Sequence, residues 1–177
     1  MKISAQAKIC NDDYLLRTIK ENDLEILRLW KNAHKEYFFY KIEITPEEQS
    51  VWFEALNERR DDHMFIIEVQ GKGIGCIGAR KYQEFIDIYN VILGDKNYKG
   101  QHVMTNALWA VVSFCNLVFI DKPVRVRVLR TNPAIKWYEK IGFKMIDYYE
   151  DHVVMQFMNS YLKGKHQFNI DLLLPLQ

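Results

Sequence analysis

The sequence predicts a mixed α/β (α+β) fold: a central, mostly antiparallel twisted sheet of six to seven strands with one parallel pair, flanked by about four helices. Three observations predict it. Residues 87–128 read as strand, turn, long apolar helix and strand, a crossover that favours two parallel neighbours in one sheet. Residues 63–82 read as two strands joined at Gly71-Lys72-Gly73, and 143–157 as a second hairpin. No period of 20 to 50 residues repeats, so the order of elements carries the information.

Taken in order, residues 14–20 suit a strand, and Asn22-Asp23-Leu24-Glu25 offers an N-cap with a carboxylate three residues on. That helix carries Leu24, Leu27 and Trp30 on one side. A second helix starts at Thr45, with Pro46 in the first position, Glu48 completing a capping box, and Trp52, Phe53 and Leu56 as its apolar face. It should end near Arg60. After the 63–82 hairpin, 87–93 adds a third consecutive strand and Gly94-Asp95-Lys96-Asn97 supplies turn chemistry. Residues 103–119 are apolar enough for a helix covered on most sides, with Met104, Leu108, Val111 and Cys115 as its most buried stripe. Pro123 marks the exit, and Val124, Val126 and Val128 alternate with Arg125 and Arg127 as a strand with one buried face. Asn132-Pro133 caps a short helix over 133–141 that stops at Gly142, and strands 143–149 and 152–157 follow.

The 177 residues read as a single domain over 1–177, with a core at about 14–157 and a C-terminal extension at 158–177. Within that extension, Ile170-Asp171-Leu172-Leu173-Leu174-Pro175-Leu176 is too apolar to float freely and is expected to pack on its own domain or on a second copy. The expected assembly is a monomer or homodimer. Twenty-four basic against 23 acidic residues leave a net charge of +1, which argues against a nucleic-acid surface. The longest apolar run, 108–120, is broken by Ser113 and Asn116, so no membrane span is expected. Cys10, Cys76 and Cys115 are odd in number and widely spaced, which fits reduced core thiols. With an N-terminus lacking an apolar signal region, they point to the cytoplasm.

The chemistry concentrates at two places. From Tyr98 to Leu108 the chain switches from polar and turn-forming to apolar and helical. A helix starting near His102 points unpaired N–H groups and its positive dipole end at whatever lies before it, commonly a phosphate. The N–H groups of Gly100, Gln101, His102, Val103, Met104 and Thr105 are the candidate anion donors, with Lys99 as a point charge. The second place is Ala134-Ile135-Lys136-Trp137-Tyr138-Glu139-Lys140-Ile141-Gly142-Phe143.

This second stretch resembles the A-I-x-x-Y-E-K-x-G-F helix of the GNAT superfamily of acyl-CoA-dependent N-acyltransferases almost letter for letter. The element order resembles that family over about 14–157, and residues 99–104 correspond to its Q/R-x-x-G-x-G/A loop. The resemblance implies acetyl-CoA as co-substrate, no metal, and transfer of an acetyl group to the amine of a small molecule or amino sugar. Protein N-termini form a further acceptor class, and a GNAT-like module that binds CoA without reacting is the alternative. It also implies that backbone groups at Ile92 and Leu93 hold the pantetheine arm and polarise the thioester. Tyr138 is then the candidate acid, a phenol that stays protonated at neutral pH, although its position on an apolar stripe also suits a core residue.

The departures define the open points. His102 stands where the family usually has glycine, and its side chain either narrows the cleft or contacts a phosphate. Met104 replaces the last glycine, but with the following Thr-x-Ala-Leu it resembles the branch acetylating ribosomal-protein N-termini and amino sugars and is no obstacle. Asn132 lies six residues before Tyr138 where seven are expected, so either Thr131 touches CoA or Asn132 does, the latter otherwise serving as a helix cap. Val126 occupies the point where some relatives carry a basic glutamate. Asp87 and Glu84 are the candidate bases on the preceding strand, each otherwise an ordinary solvated carboxylate. Trp30-Lys31-Asn32 resembles the W-R-N of the amino-sugar and ribosomal-protein branch, and Tyr37-Phe38-Phe39-Tyr40 can stack on a sugar or base or simply pack. No zinc spacing, Gly-x-Ser-x-Gly elbow or Walker sequence occurs.

Overall fold

The computed structural model describes residues 3–10, 13–158, 160 and 168–173. The chain lays down β1 (Ser4–Ile9) and β2 (Tyr14–Thr18), crosses through α1 (Leu24–Ala33) and α2 (Pro46–Glu58), and returns as β3 (Asp62–Val69), β4 (Lys72–Lys81) and β5 (Ile86–Leu93). Then come α3 (Val103–Val118), β6 (Val124–Leu129), α4 (Ile135–Lys140), β7 (Phe143–Tyr148), β8 (His152–Phe157) and β9 (Ile170–Leu173). The strands form one sheet in the order β7-β8-β6-β5-β4-β3-β2-β1-β9. The pair β5–β6 is parallel, as the crossover through α3 requires, and the others are antiparallel.

The sheet therefore has nine strands, against the six to seven expected. Two were illegible in the sequence. In β1 the buried positions Ala5, Ala7 and Ile9 alternate with more polar ones, but alanine is too small to make the alternation stand out. The strand β9 pairs with β1 from Ser4↔Leu173 to Ala7↔Ile170, so this part of the C-terminal segment lies on its own chain. The rest of the apolar stretch, from Leu174 on, lies outside the described residues.

Side-chain alternation in β3 divides the core between the two sheet faces. Phe65 and Ile67 join α3 and α4 in one buried cluster, whereas Met64 and Ile66 join α1 and α2 in the other. A strand covered on both sides reads as continuous apolar sequence, which is why residues 64–67 show no polar partner face. The α2 capping box forms as expected, with Glu48 N–H donating to Thr45 Oγ1 (3.2 Å) and Thr45 N–H donating to Glu48 Oε2 (2.9 Å).

Three local expectations are corrected. Helix α1 begins after a 3-10 turn at Glu21–Asp23 that contains Asn22, the expected N-cap, so Asp23 takes the cap position and makes no side-chain cap bond to the helix. Its carboxylate instead accepts from Lys20 N–H (2.7 Å) and pairs with Arg17 (2.7 and 3.0 Å). Helix α4 spans only Ile135–Lys140, because Asn132 Oδ1 accepts from Ala134 N–H and holds the preceding residues in a turn. Met104 is half-buried rather than part of the deepest stripe of α3, while Leu108, Val111 and Cys115 are fully buried as expected.

Candidate active site

The parallel ladder between β5 and β6 lasts only from Ile86↔Val124 to Ile88↔Val126. Past Ile88 the two strands no longer pair with each other, and a cavity of about 1020 Å³ opens between them. The opening coincides with a bulge in β5. Cys76 pairs with Ile92 and Gly78 with Tyr89, so β5 places two residues, Asn90 and Val91, opposite the single Ile77 of β4, and Asn90 stands at φ 47°. Ile92 and Leu93, expected to face the pantetheine arm, both line this cavity on the unpaired stretch.

The turn expected after β5 delivers the chain to the same place. Asp95 accepts from Asn97 N–H (3.0 Å) and opens a 3-10 turn at Lys96–Tyr98. Gly100 follows at φ +84° with open space where a Cβ would stand, and His102 is the N-cap of α3 at φ 57°. The first α-helical bond at this end runs from Asn106 N–H to His102 O (3.0 Å). The N–H groups of Val103, Met104 and Thr105 therefore have no intrahelical acceptor, and all three residues line the cavity with Lys99, Gly100 and His102. Gln101 does not. Its side chain accepts from Tyr14 hydroxyl (2.9 Å) and donates to Asn97 O (3.0 Å), pinning the loop to β2 instead of facing a ligand.

The far wall comes from α4. Trp137 Nε1 donates to Thr105 Oγ1 (3.2 Å), which fixes α4 against the first turn of α3, and Trp109 Nε1 donates to Ile141 O (3.0 Å). Tyr138 is buried at 5% exposure among Trp137, Phe143 and the core, yet it lines the cavity. Burial, with the nearby charge of Asp87 adding to it, pushes its phenol well above the ordinary value. Of the two residues weighed as the CoA contact, Asn132 lines the cavity, caps Ala134 and reaches Tyr37 O at 3.5 Å, whereas Thr131 does not line it.

Of the two candidate bases, only Asp87 reaches the cavity; Glu84 is exposed in the turn before β5. Asp87 is buried, its Oδ2 accepts from Arg127 (3.0 Å), and its Oδ1 is buried without a partner. Burial raises its pKa, and the Arg127 guanidinium works against the rise. The carboxylate thus has one oxygen held by Arg127 and one left without a protein partner.

A second cavity of about 290 Å³ lies between α1, α2 and the bulge, lined by Leu27, Trp52, Met64 and Gln49 among others. Lys31 and Asn90 line both cavities, so the two meet there. Lys31 Nζ donates to Asn90 Oδ1 and lies 3.2 Å from the centroid of the Phe38 ring. Burial draws its pKa down to about 8. The segment between α1 and α2 is held across the opening: Asn32 donates to and accepts from the Ile44 backbone (2.9 Å each), and Phe39 packs edge-on to His152 at 5.4 Å. The pairing of Lys31 with Asn90 is one that sequence reasoning missed, as was that of Arg127 with Asp87. The alternating arginines of β6 were visible, but their partners depend on strand register.

The three thiols are free, and burial pushes Cys76 up to about 12 and Cys115 further. Neither suits a nucleophile. Among the described residues no helix is long and apolar enough to cross a membrane, and no cluster of three His, Cys, Asp or Glu could hold a metal ion.

Comparison with known proteins follows the same outline. A family model described as an acetyltransferase (GNAT) domain matches residues 13–144. An uncharacterised protein of Methanocaldococcus jannaschii is 25% identical over 149 residues, covering 81% of this chain but only 29% of that protein's length. Spermidine N-acetyltransferase from Vibrio cholerae, solved with CoA and spermine, superposes with a TM-score of 0.73 at 18% identity, over 86% of this chain and 99% of that one. FdhC, a nucleotide-linked sugar GNAT, superposes at 0.71 and 17% identity, over 92% and 94%. At these identities the two structures establish likeness of fold.

Proposed function

The chain belongs to the GNAT acetyltransferase family, and from that premise we propose that it transfers the acetyl group of acetyl-CoA to a primary amine of a small molecule or amino sugar, by direct attack in a ternary complex. One observation carries the reading. The unpaired part of β5, the open N-terminus of α3, Tyr138 and Asp87 all line a single cavity.

Each part meets one need of acyl transfer. The free N–H groups at Val103, Met104 and Thr105, with Gly100 open before them, suit a pyrophosphate, and Lys99 adds a positive charge at the rim. The edge of β5 from the bulge to Leu93 offers backbone groups to the pantetheine arm and to the thioester oxygen as it gains charge. Asp87, on the cavity wall with its carboxylate held by the single Arg127 contact, takes the proton that the attacking amine must lose. As the C–N bond forms and the C–S bond breaks, Tyr138 donates a hydrogen bond to the departing sulfur. Its raised pKa means the proton is shared with the thiolate rather than surrendered early, so its main contribution is to stabilise developing charge.

The test is release of CoA thiol from acetyl-CoA across a panel of amines, for the native chain and for Tyr138→Phe. Turnover by the native chain that falls about 10²-fold in kcat, with acetyl-CoA affinity little changed, is the expected result. Binding of acetyl-CoA without turnover on any amine assigns the fold to a CoA-binding module instead.

A further inference from the structure

We infer that the acceptor is an amine that also carries a carboxylate, seated with that carboxylate on Lys31, its apolar side chain in the smaller cavity and its amine in the larger one. The inference rests on the acetyltransferase reading and adds the substrate class.

The observations begin with an unbalanced charge. Lys31 is half-buried, and among the described residues no carboxylate lies within ion-pair distance of it. Its ammonium group has a neutral amide oxygen from Asn90 and the face of Phe38 as partners. The other titrating group that acts on it is the Cys76 thiol on β4, which burial keeps protonated. A half-buried cation whose protein partners are neutral groups favours an anion from outside.

Position supplies the rest. Lys31 and Asn90 stand where the two cavities join, and Asn90 is the bulge residue of the strand that flanks the larger one. An acceptor that reaches the thioester from the smaller cavity passes this ammonium group. A second ammonium on the acceptor, as in a polyamine, would meet like charge there, whereas a carboxylate next to the reacting amine would be held. The smaller cavity is walled by Leu27, Ile44, Trp52, Met64 and Ile92, which suits an aliphatic or aromatic side chain, and at about 290 Å³ it suits a small one. Glu48 also lines this cavity, but it is exposed and already accepts from Thr45 N–H, and it makes no ion pair with Lys31.

Leucine and phenylalanine, their amides, and the matching amines without a carboxyl carbon separate the possibilities. The amides also stand in for a peptide N-terminus. With acetyl-CoA present, both amino acids are expected to exceed their amides and simple amines by about 30-fold in kcat/KM, the worth of a hydrogen-bonded charge. Lys31→Met should bring the three within about 3-fold of one another, and Lys31→Arg, which keeps the charge, should preserve the order. Thermal stabilisation of the CoA complex by each compound is read in parallel. Preferential stabilisation by the amino acids, abolished in Lys31→Met, supports the inference even where no thiol is released, and it is then the catalytic reading that fails. Equal response to acid, amide and amine in the native chain, or an unchanged preference in Lys31→Met, overturns it.

Discussion

The indole of Trp30 lies directly over Gly94, so that a Cβ built on the glycine would overlap the ring at Cε2, Cδ2 and Nε1. This contact joins α1 to the residue that follows β5, and Gly94 N–H donates to Ile74 O (2.9 Å), which leaves the glycine backbone little room to retreat. Gly94→Ala should therefore push α1 outward. The expected cost is about 1–3 kcal/mol by urea unfolding. Because Lys31 follows Trp30, the acceptor KM should rise more than the acetyl-CoA KM. A wild-type unfolding midpoint in Gly94→Ala would refute the contact.

His102 holds a left-handed conformation at the N-cap of α3, without a side-chain cap bond to the helix. That conformation costs a residue with a Cβ about 1–2 kcal/mol, and glycine escapes it while losing about 0.5–1 kcal/mol of backbone entropy on folding. His102→Gly should leave stability unchanged or raise it by about 0.5 kcal/mol. His102→Val, with a branched Cβ at the same φ, should lower it by more than about 1 kcal/mol. Equal stability of the two variants in chemical denaturation would show that the backbone relaxes freely there.

Tyr14 on β2 holds the loop before α3 through Gln101 and packs edge-on to Tyr98 at 6.0 Å. Tyr14→Phe removes one hydrogen bond of about 1 kcal/mol and nothing from the cavity lining. The acetyl-CoA KM should rise about 3- to 5-fold with kcat within about 2-fold, since the loop positions donors that bind rather than react. A fall in kcat at unchanged KM would contradict this role.

What could be read from the sequence were the features set by near neighbours in the chain. The capping box of Thr45 and Glu48 and the switch from turn to helix at His102 each depend on a few adjacent residues, whereas the hairpin turns at Gln70-Gly71, with Lys72 and Gly73 already paired in β4 rather than in the expected connection. Tyr138 and the loop residues other than Gln101 likewise come to one cavity through the 3-10 turn and α4. Features set by register were not legible. Asn22 reads as the cap for α1, but a 3-10 turn absorbs it while Arg17 on β2 holds the carboxylate of the next residue, Asp23, and Asn90 becomes a partner of Lys31 only because a bulge turns it there. Asp87 could be named as a candidate base, whereas its orphaned oxygen follows from the single arginine that β6 presents to it.

The burial of Lys31 also makes a prediction about stability. In the unfolded chain its amine titrates near 10.5, and in the folded chain near 8, because burial disfavours the ammonium form. The folded protein thus releases this proton first. Stability should rise with pH between about 8 and 10.5, where the unfolded chain still binds the proton, and the penalty should be fully present below pH 8. The shift corresponds to at most about 3 kcal/mol, reduced to about 1–2 kcal/mol by the partial exposure of the group. Lys31→Met should therefore be more stable than the native chain at pH 7, with the difference fading toward pH 10.5. Paired urea titrations at pH 7 and 10 isolate the effect, because the other titrating groups are common to both chains. A difference that stays constant between the two pH values would mean that Lys31 carries an ordinary, solvated charge, and would remove the physical basis for a carboxylate seat beside Asn90.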